Sequence, residues 1–320
     1  MNISLDVGNG NIKGMSGDVK LIMPSTLVEG VSKLDDTTVN IEFEGKHYNM
    51  GKVSGDRKRD YAKYNTDYHK VMTLASISLM IEKIENENNS KDKNKNDIHT
   101  INLIAGLPIG YYLNHNVEYR DILLDYTKEK PAEITVNGVT RKIKIEKCIV
   151  IPQSAVPFGY DVEGTTLVID IGSGTVDVSY WDERSLIKAE SYNIGCLDLY
   201  ADIAANINKQ NTKHNMEPFL IEKNLIKNPK LETIKIMGGA VNIKDSVNTA
   251  IHTFTESIVS KVSLDFSNYT LIDNLYVVGG GALFIDDEIK KTYEFAEVVK
   301  NVYFNAEIYD RIGDEQFGSN

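Results

Sequence analysis

The stretch Leu167-Val168-Ile169-Asp170-Ile171-Gly172-Ser173-Gly174-Thr175-Val176-Asp177-Val178-Ser179 constrains this chain more than any other. β-Prone apolar residues run into an aspartate, glycines follow at Gly172 and Gly174, and apolar alternation resumes at Val176 and Val178. This pattern predicts a strand, a tight turn and a second strand, with backbone N–H groups at the tip that an anion can collect. A near-copy stands at the N-terminus: Ile3-Ser4-Leu5-Asp6-Val7-Gly8-Asn9-Gly10-Asn11-Ile12-Lys13. Two strand–Asp–x–Gly–turn–strand units in one chain predict two similar half-proteins facing one ligand.

The chemistry suited to such a pair is phosphate binding. Each charge-assisted hydrogen bond from a turn N–H to a β- or γ-phosphate is worth roughly 1.5–3 kcal/mol. Only glycine, or small residues such as Asn9, Ser173 and Thr175, let the backbone come so close. Lys13 is placed to add a point charge. Asp6 and Asp170 would otherwise repel the phosphates, so a magnesium ion between them, held through bound water, is implied. A third loop, Val277-Val278-Gly279-Gly280-Gly281-Ala282, ends a strand in glycines and opens a helix. Such a loop can lay backbone against adenosine or an α-phosphate, and its spacing is not the dinucleotide fingerprint. One acidic hairpin alone reads as an ordinary turn; the repeat and the third loop favour a site.

Along the chain, Ile3–Val7, Asn11–Ser16 and Val19–Met23 read as strands, then Thr38–Phe43 and Lys46–Met50 as a hairpin turning at Glu44-Gly45. Helical periodicity runs from Asp67, a candidate N-cap, to Ile84, with one face buried. The polar run Glu85 to Asp97 reads as a loop tip. A strand at His99–Ala105 and a helix at His115–Tyr126 follow. Asn137-Gly138 marks a hairpin between Glu133–Val136 and Val139–Ile145, and Cys148–Ile151 forms a further extended run. Ser154–Tyr160 read as a short crossing helix, with a domain boundary near Asp161–Gly164.

The second half adds a strand at Leu186–Asn193 and helices at Leu199–Asn208, Pro218–Ile226 and Ile243–Phe266. Thr233–Met237 reads as a short strand, and Leu275–Val278 as one ending in the third loop. Val298–Phe304 is expected as a last strand and Asn305–Ile312 as a terminal helix with a frayed tail.

The net charge of −11 argues against a protein that grips nucleic acid by its whole surface. The densest basic group, Lys52, Arg57, Lys58, Arg59 and Lys63, reads as a solvated face. Cys148 and Cys196 fit neither a metal spacing nor a disulfide framework, so a reducing, cytoplasmic setting is expected. Met1-Asn2-Ile3 leads straight into a strand, with no signal peptide expected. No apolar run approaches the ~18 residues of a membrane helix.

Asp6-Val-Gly with Lys13, Gln153 in IPQSAVPFGY, Asp170-Ile-Gly-Ser-Gly-Thr-Val-Asp177, the GCLDLY segment at Gly195 and VVGGGA together resemble the five-motif nucleotide site of the actin-like ATPase superfamily. They occur in the superfamily's order and span the chain. Gly10-Asn11-Ile12-Lys13 and Tyr64-Asn-Thr-Asp67-Tyr68 look most like ParM-type plasmid-segregation actins.

The resemblance implies an α/β, actin-like (ribonuclease-H-like) duplicated fold: two lobes with mixed, five-stranded-type sheets around a nucleotide cleft. The lobes are expected at 1–162, with 305–320 packing back, and at 163–304. It implies that Asp6 and Asp170 position magnesium, and that the turns Gly8, Asn9, Gly10, Asn11 and Gly172, Ser173, Gly174, Thr175 clasp the phosphates. It also sets Gly279, Gly280 and Gly281 against the nucleotide, with Glu222 and Lys223 reaching towards ribose or base, or else forming a surface pair. ATP is the nucleotide carried over, with GTP possible.

Gln153 bears on mechanism most. Many bacterial relatives carry glutamate there, whereas actin-type sequences carry glutamine. Glutamine cannot serve as a general base, but it can hold an attacking water in line with the γ-phosphate. Slow hydrolysis, quickened on closure and coupled to assembly, is the expectation. The resemblance implies a head-to-tail filament of identical subunits and a small DNA-binding adaptor on centromere-like DNA, with no direct nucleic-acid or membrane contact by the filament. The alternatives within the superfamily are a non-polymerising ATP-dependent regulator or a small-molecule kinase. Asp97, Asp121 and Asp125 lie in no recognisable acceptor motif for the latter.

Overall fold

The computed structural model describes residues 1–30, 38–51, 61–87, 97–210, 215–236 and 238–318. Lys52, Arg57, Lys58 and Arg59, most of the polar run Glu85 to Asp97, part of the loop at 209–215, Met237 and the last two residues lie outside them. The chain divides into two compact units, Met1–Tyr160 with Tyr303–Asn320, and Asp161–Val302.

The first unit opens with β1 (Asn2–Val7), β2 (Asn11–Ser16), β3 (Val19–Pro24), a short β4 (Leu27–Glu29), β5 (Thr38–Phe43) and β6 (Lys46–Gly51). Helix α1 (Asp67–Glu87), β7 (Ile98–Leu107), α2 (Ile109–Asp125), β8 (Ala132–Val136), β9 (Val139–Pro152) and the single turn α3 (Val156–Gly159) follow. The sheet runs β3-β2-β1-β7-β9-β8-β5-β6-β4. β1 pairs antiparallel with β2 and parallel with β7, and β7 pairs parallel with β9.

The expected five-stranded core is present, and four further strands extend it beyond β9. Two tight hairpins cause the extension. Asn137 and Gly138 take φ +49° and +79°, and Glu44 and Gly45 take +48° and +76°. Paired positive φ values of this kind match the right-handed twist of the flanking strands. The runs Val139–Ile145 and Cys148–Ile151 join into one strand, because Glu146 bulges out where Ile101 pairs with Ile145 and Asn102 with Lys147.

α1 is capped by Thr66 rather than Asp67. The Thr66 hydroxyl oxygen accepts from the His69 N–H at 3.2 Å, and Asp67 is already in the first helical turn. Buried residues occupy more than one face of α1, from His69 and Val71 to Met80 and Ile81, in place of a single stripe. α2 begins at Ile109, directly after β7, rather than at His115.

The second unit holds β10 (Thr165–Ile171), β11 (Val176–Asp182), β12 (Ser185–Tyr192), α4 (Cys196–Gln210) and α5 (Pro218–Lys227). After these come the hairpin β13 (Thr233–Ile236) and β14 (Gly239–Asn242), α6 (Lys244–Asp265), β15 (Asn274–Val278), α7 (Ala282–Thr292) and β16 (Glu297–Val298). Its sheet runs β12-β11-β10-β15-β16. β10 is antiparallel to β11 and parallel to β15, so order and polarity repeat those of β3-β2-β1-β7-β9. Leu167, Ile169 and Ile171 of β10 share a core with Leu199, Ile203 and Ile207 of α4 and Val247, Phe254 and Ile258 of α6. Each such side chain stabilises the unit by roughly 1.5–3 kcal/mol through burial.

The last helix, α8 (Phe304–Phe317), belongs to the first unit. The expected strand Val298–Phe304 shrinks to Glu297–Val298, and the helix continues past Ile312 to Phe317. Phe304, Ile308 and Ile312 recur at helical spacing and are buried. Bare backbone at Gly106 and Gly313 lets α8 lie directly on β7: a Cβ there would stand 2.2 Å from the Tyr309 hydroxyl and 2.7 Å from Ile104 respectively. β1 is buried along its whole length and therefore reads as continuous rather than alternating. Among the described residues, no helix is long and apolar enough to cross a membrane.

Candidate functional site

In the first unit, strand pairing places Asp6 opposite Lys13 across the β1–β2 hairpin. Lys13 Nζ stands 3.4 Å from Asp6 Oδ2, and Asp6 is buried. The connecting turn holds Gly8, Asn9, Gly10 and Asn11; the Ser25 N–H donates to Gly10 O at 3.0 Å, pinning β3's end beneath it. A Cβ on Gly8 would approach Asn11 O to 2.9 Å, so the turn closes only with a bare backbone at that position.

Gln153 follows β9, and its backbone N–H donates to Leu107 O at 2.8 Å, the last residue of β7. The parallel strands β1, β7 and β9 thus deliver Asp6 and Gln153 to the same edge. Gln153 Nε2 donates to Asp6 Oδ1 at 2.9 Å, and both side chains are buried. An ionised carboxylate only accepts, so the amide NH2 must face Asp6 and Oε1 is left as an acceptor. The next residue, Ser154, takes φ +67°, and its N–H donates to Asn305 Oδ1 at 3.0 Å. Asn305 on α8 therefore holds the Gln153 loop, a contact across 151 positions of sequence that no local pattern signals.

Lys63 corrects the solvated-face expectation. It is half-buried, and its Nζ donates to Asn9 Oδ1 at 2.5 Å. Its place just before Tyr64-Asn-Thr-Asp67 was the available sequence signal.

In the second unit, Asp170 pairs opposite Asp177 across β10–β11, and both are buried. The Gly172 N–H donates to Thr175 O at 2.9 Å, closing the turn that contains Ser173 and Gly174. Asp177 is occupied within the unit: Thr175 Oγ1 donates to its Oδ2 at 3.3 Å, and the Ser191 hydroxyl donates to its Oδ1. The start of α4 is docked on this turn, with the Cys196 N–H donating to Gly172 O at 3.1 Å and the Leu197 N–H to Ser173 O at 2.9 Å. Gly195 makes that docking possible, because a Cβ there would lie 2.5 Å from Ser173 O.

The third loop packs against the same aspartate. β15 runs parallel to β10 and brings Val278 beside Asp170. Gly279 then takes φ +87°, and a Cβ on it would stand 2.1 Å from Asp170 Oδ1 and 2.6 Å from Ile171 O. The Gly281 N–H donates to Ile171 O at 2.9 Å, whereas Gly280 has open space around the position of a Cβ. Burial pushes the Cys196 thiol up to about 12, with the charges of Glu222 and Asp170 adding to that shift. Glu222 on α5 is half-buried, while Lys223 is exposed.

The second unit therefore gathers Asp170, Asp177, Gly172–Thr175, Gly195 and Gly279–Gly281 at one sheet end. The first gathers Asp6, Lys13, Gly8–Asn11 and Gln153, together with Lys63 and Asn305. In each, an aspartate at the end of the central strand meets a glycine-bearing turn.

Two family descriptions match. "Actin like proteins N terminal domain" covers residues 4–155, and "Archaeal actin homologue MreB-like, C-terminal" covers residues 168–291. No curated protein sequence is matched. Among solved structures, a 15-stranded ParM filament from Clostridium botulinum superposes with TM-score 0.77 at 20% identity, covering 99% of each chain. The archaeal actin homologue Ta0583 superposes with TM-score 0.78 at 17% identity, again over 99% of each chain. Bacillus thuringiensis ParM with ATP gives TM-score 0.70 at 17% identity over 98% of this chain and 97% of that one. At such identities the structural likeness speaks for the fold, which the ParM structures and the archaeal homologue both share.

Proposed function

The chain belongs to the actin-like protein superfamily, and from that premise we propose that it binds and slowly hydrolyses ATP and assembles head to tail with copies of itself. The observation that carries the reading is the buried bond from Gln153 to Asp6. It holds the amide in one orientation, with Oε1 left to accept a hydrogen bond from water. A residue so held orients water without taking its proton, which gives a slow hydrolase of the kind that times assembly. The repeated turns supply the phosphate contacts in this reading: Gly8–Asn11 with Lys13 from one unit, and Gly172–Thr175 from the other. Gly279–Gly281 supply bare backbone for the nucleoside or α-phosphate.

Magnesium fits this donor set. Among the described residues no group of three or more His, Cys, Asp or Glu could cage a metal. Magnesium bound with nucleotide takes most of its ligands from phosphate and water, and one or two carboxylates suffice. Asp6 and Asp170 are the carboxylates that would hold it, and when bound it would neutralise phosphate charge beside them.

Solved relatives support the finer parts: one is a ParM filament, another is ParM with ATP, and the archaeal homologue has a complex with ADP. Plasmid DNA segregation is the role proposed. The net charge of −11 favours contact with DNA through a small adaptor rather than by the filament itself. A cytoplasmic setting suits the two free thiols.

The test is pelleting and light scattering with ATP, GTP, ADP and no nucleotide. Assembly with triphosphate alone is expected; its absence under every condition would overturn the filament. Phosphate release per subunit should rise with protein concentration, and strictly linear scaling of total release would overturn the coupling to assembly.

A further inference from the structure

Lys63 lies in a short 3-10 turn, Tyr61–Asn65, that leads into α1. Its backbone and ring contacts hold it firmly. Thr66 Oγ1 donates to Lys63 O at 2.7 Å while accepting from the His69 N–H, so the turn is locked to the helix start. The Lys63 ammonium lies 4.6 Å from the centroid of the Tyr64 ring, within cation–π range. Tyr64 is itself buried, edge-on to Tyr119 at 4.9 Å and to His69 at 5.2 Å. His69 Nδ1 is 2.9 Å from the Tyr126 hydroxyl and Nε2 is 3.3 Å from the Tyr119 hydroxyl. Burial, then the Lys63 charge, lowers His69 to about 3, so this support does not titrate at physiological pH. A cation on a rigid aromatic support is thus brought to Asn9 Oδ1.

That contact decides the chemistry of Asn9. A free asparagine amide offers a donor end and an acceptor end, and an acceptor facing phosphate would repel it. An ammonium only donates, so it captures the carbonyl end and leaves the NH2 as the group Asn9 can offer. Gln153 is polarised in the opposite sense by Asp6, which captures its NH2. Two amides at one sheet end are therefore sorted, one into a donor and one into an acceptor.

We propose that Lys63 is a positioning residue for nucleotide binding, acting through Asn9 to turn the amide NH2 towards the terminal phosphates. The proposal rests on the nucleotide reading above. Its test is calorimetric titration of the full chain with magnesium–ATP and with adenosine. Lys63→Met should weaken ATP binding about tenfold, leave adenosine binding unchanged and leave the melting temperature unchanged. Asn9→Ala should lose the same factor, and the double variant should bind no more weakly than either single one. Lys63→Arg, which keeps a donor-only cation, should restore most of the affinity.

Independent, multiplying losses in the double variant would overturn the proposal, as would equal losses for ATP and adenosine. If Lys63→Met is destabilised, Asn9→Ala alone decides, because it leaves the lysine and its aromatic support in place; ATP binding equal to the parent's would overturn the proposal. Asp170→Ala separates the two levels. If it loses ATP while Lys63→Met does not, the Lys63 proposal fails and the nucleotide reading stands. If both variants bind ATP like the parent, the nucleotide reading fails.

Discussion

Substituting Gly279 by alanine puts the third loop to a quantitative test. The φ of +87° is a conformation that L-residues adopt at a cost of roughly 1–2 kcal/mol. The added methyl would also begin 2.1 Å from Asp170 Oδ1, 2.6 Å from Ile171 O and 2.9 Å from Ile171 N. Two of those atoms are backbone in the central strand β10 and cannot swing away as a flexible side chain would. Relief must come from moving the loop or displacing Asp170, and overpacking of this kind costs roughly 1–3 kcal/mol. The sum, about 2–5 kcal/mol, corresponds to a fall in melting temperature of roughly 5–15 °C. Thermal unfolding followed by circular dichroism, with ATP titration at a temperature where the variant is folded, reads both consequences. Gly280→Ala is the internal control, since nothing lies within 4 Å of the added carbon, and it should melt with the parent. A Gly279→Ala variant that melts within about 2 °C of the parent and binds ATP as well would refute the packing argument and the loop's assignment together.

Three further outcomes follow from buried titratable and polar groups. Gln153→Glu sets a second carboxylate where an amide now donates to Asp6 at 2.9 Å. One of the pair is then held protonated, so the variant should lose about 1–3 kcal/mol more, relative to the parent, at pH 8 than at pH 5.5 in urea unfolding. An equal loss at both pH values would contradict this. Burial, with the Asp314 charge behind it, raises the Asp310 carboxyl to about 6. A raised acid binds more protons in the folded than the unfolded state, so its contribution to stability is present below about pH 4 and lost as pH rises through 6. Asp310→Asn keeps an acceptor for the Gly17 N–H and should raise the melting temperature at pH 7.5, with the gain fading below pH 4. Burial likewise pushes Cys148 and Cys196 up to about 12, so iodoacetamide at pH 8 should label them only as denaturant unfolds the chain. Rapid labelling of the native protein would mean that their surroundings are open.

The hairpins were legible because their cause is local. Asn137-Gly138 and Glu44-Gly45 accept positive φ, and the apolar alternation on either side sets the register. The two aspartates at the ends of β1 and β10 follow from the same kind of pattern, because the turn glycines come immediately after them. Boundaries that depend on packing were less legible. Nothing local stops a strand at Val298 or carries α8 on to Phe317; the buried row Phe304, Ile308, Ile312 and the bare backbone of Gly106 and Gly313 do so. Thr66 displaced Asp67 as the cap of α1 because a single residue of register decides which side chain meets the His69 N–H.

By itself, then, the sequence determined the repeated strand–aspartate–turn units, since those depend on residues within a few positions of each other. Tertiary structure alone decided what the polar side chains at their tips are able to offer. Gln153 meets Asp6 across 147 positions of sequence, Asn305 meets Ser154 across 151, and Lys63 meets Asn9 across 54. An amide becomes a donor or an acceptor only when a neighbour captures its other end, and that neighbour is supplied by the packing of parallel strands and of α8 on the sheet.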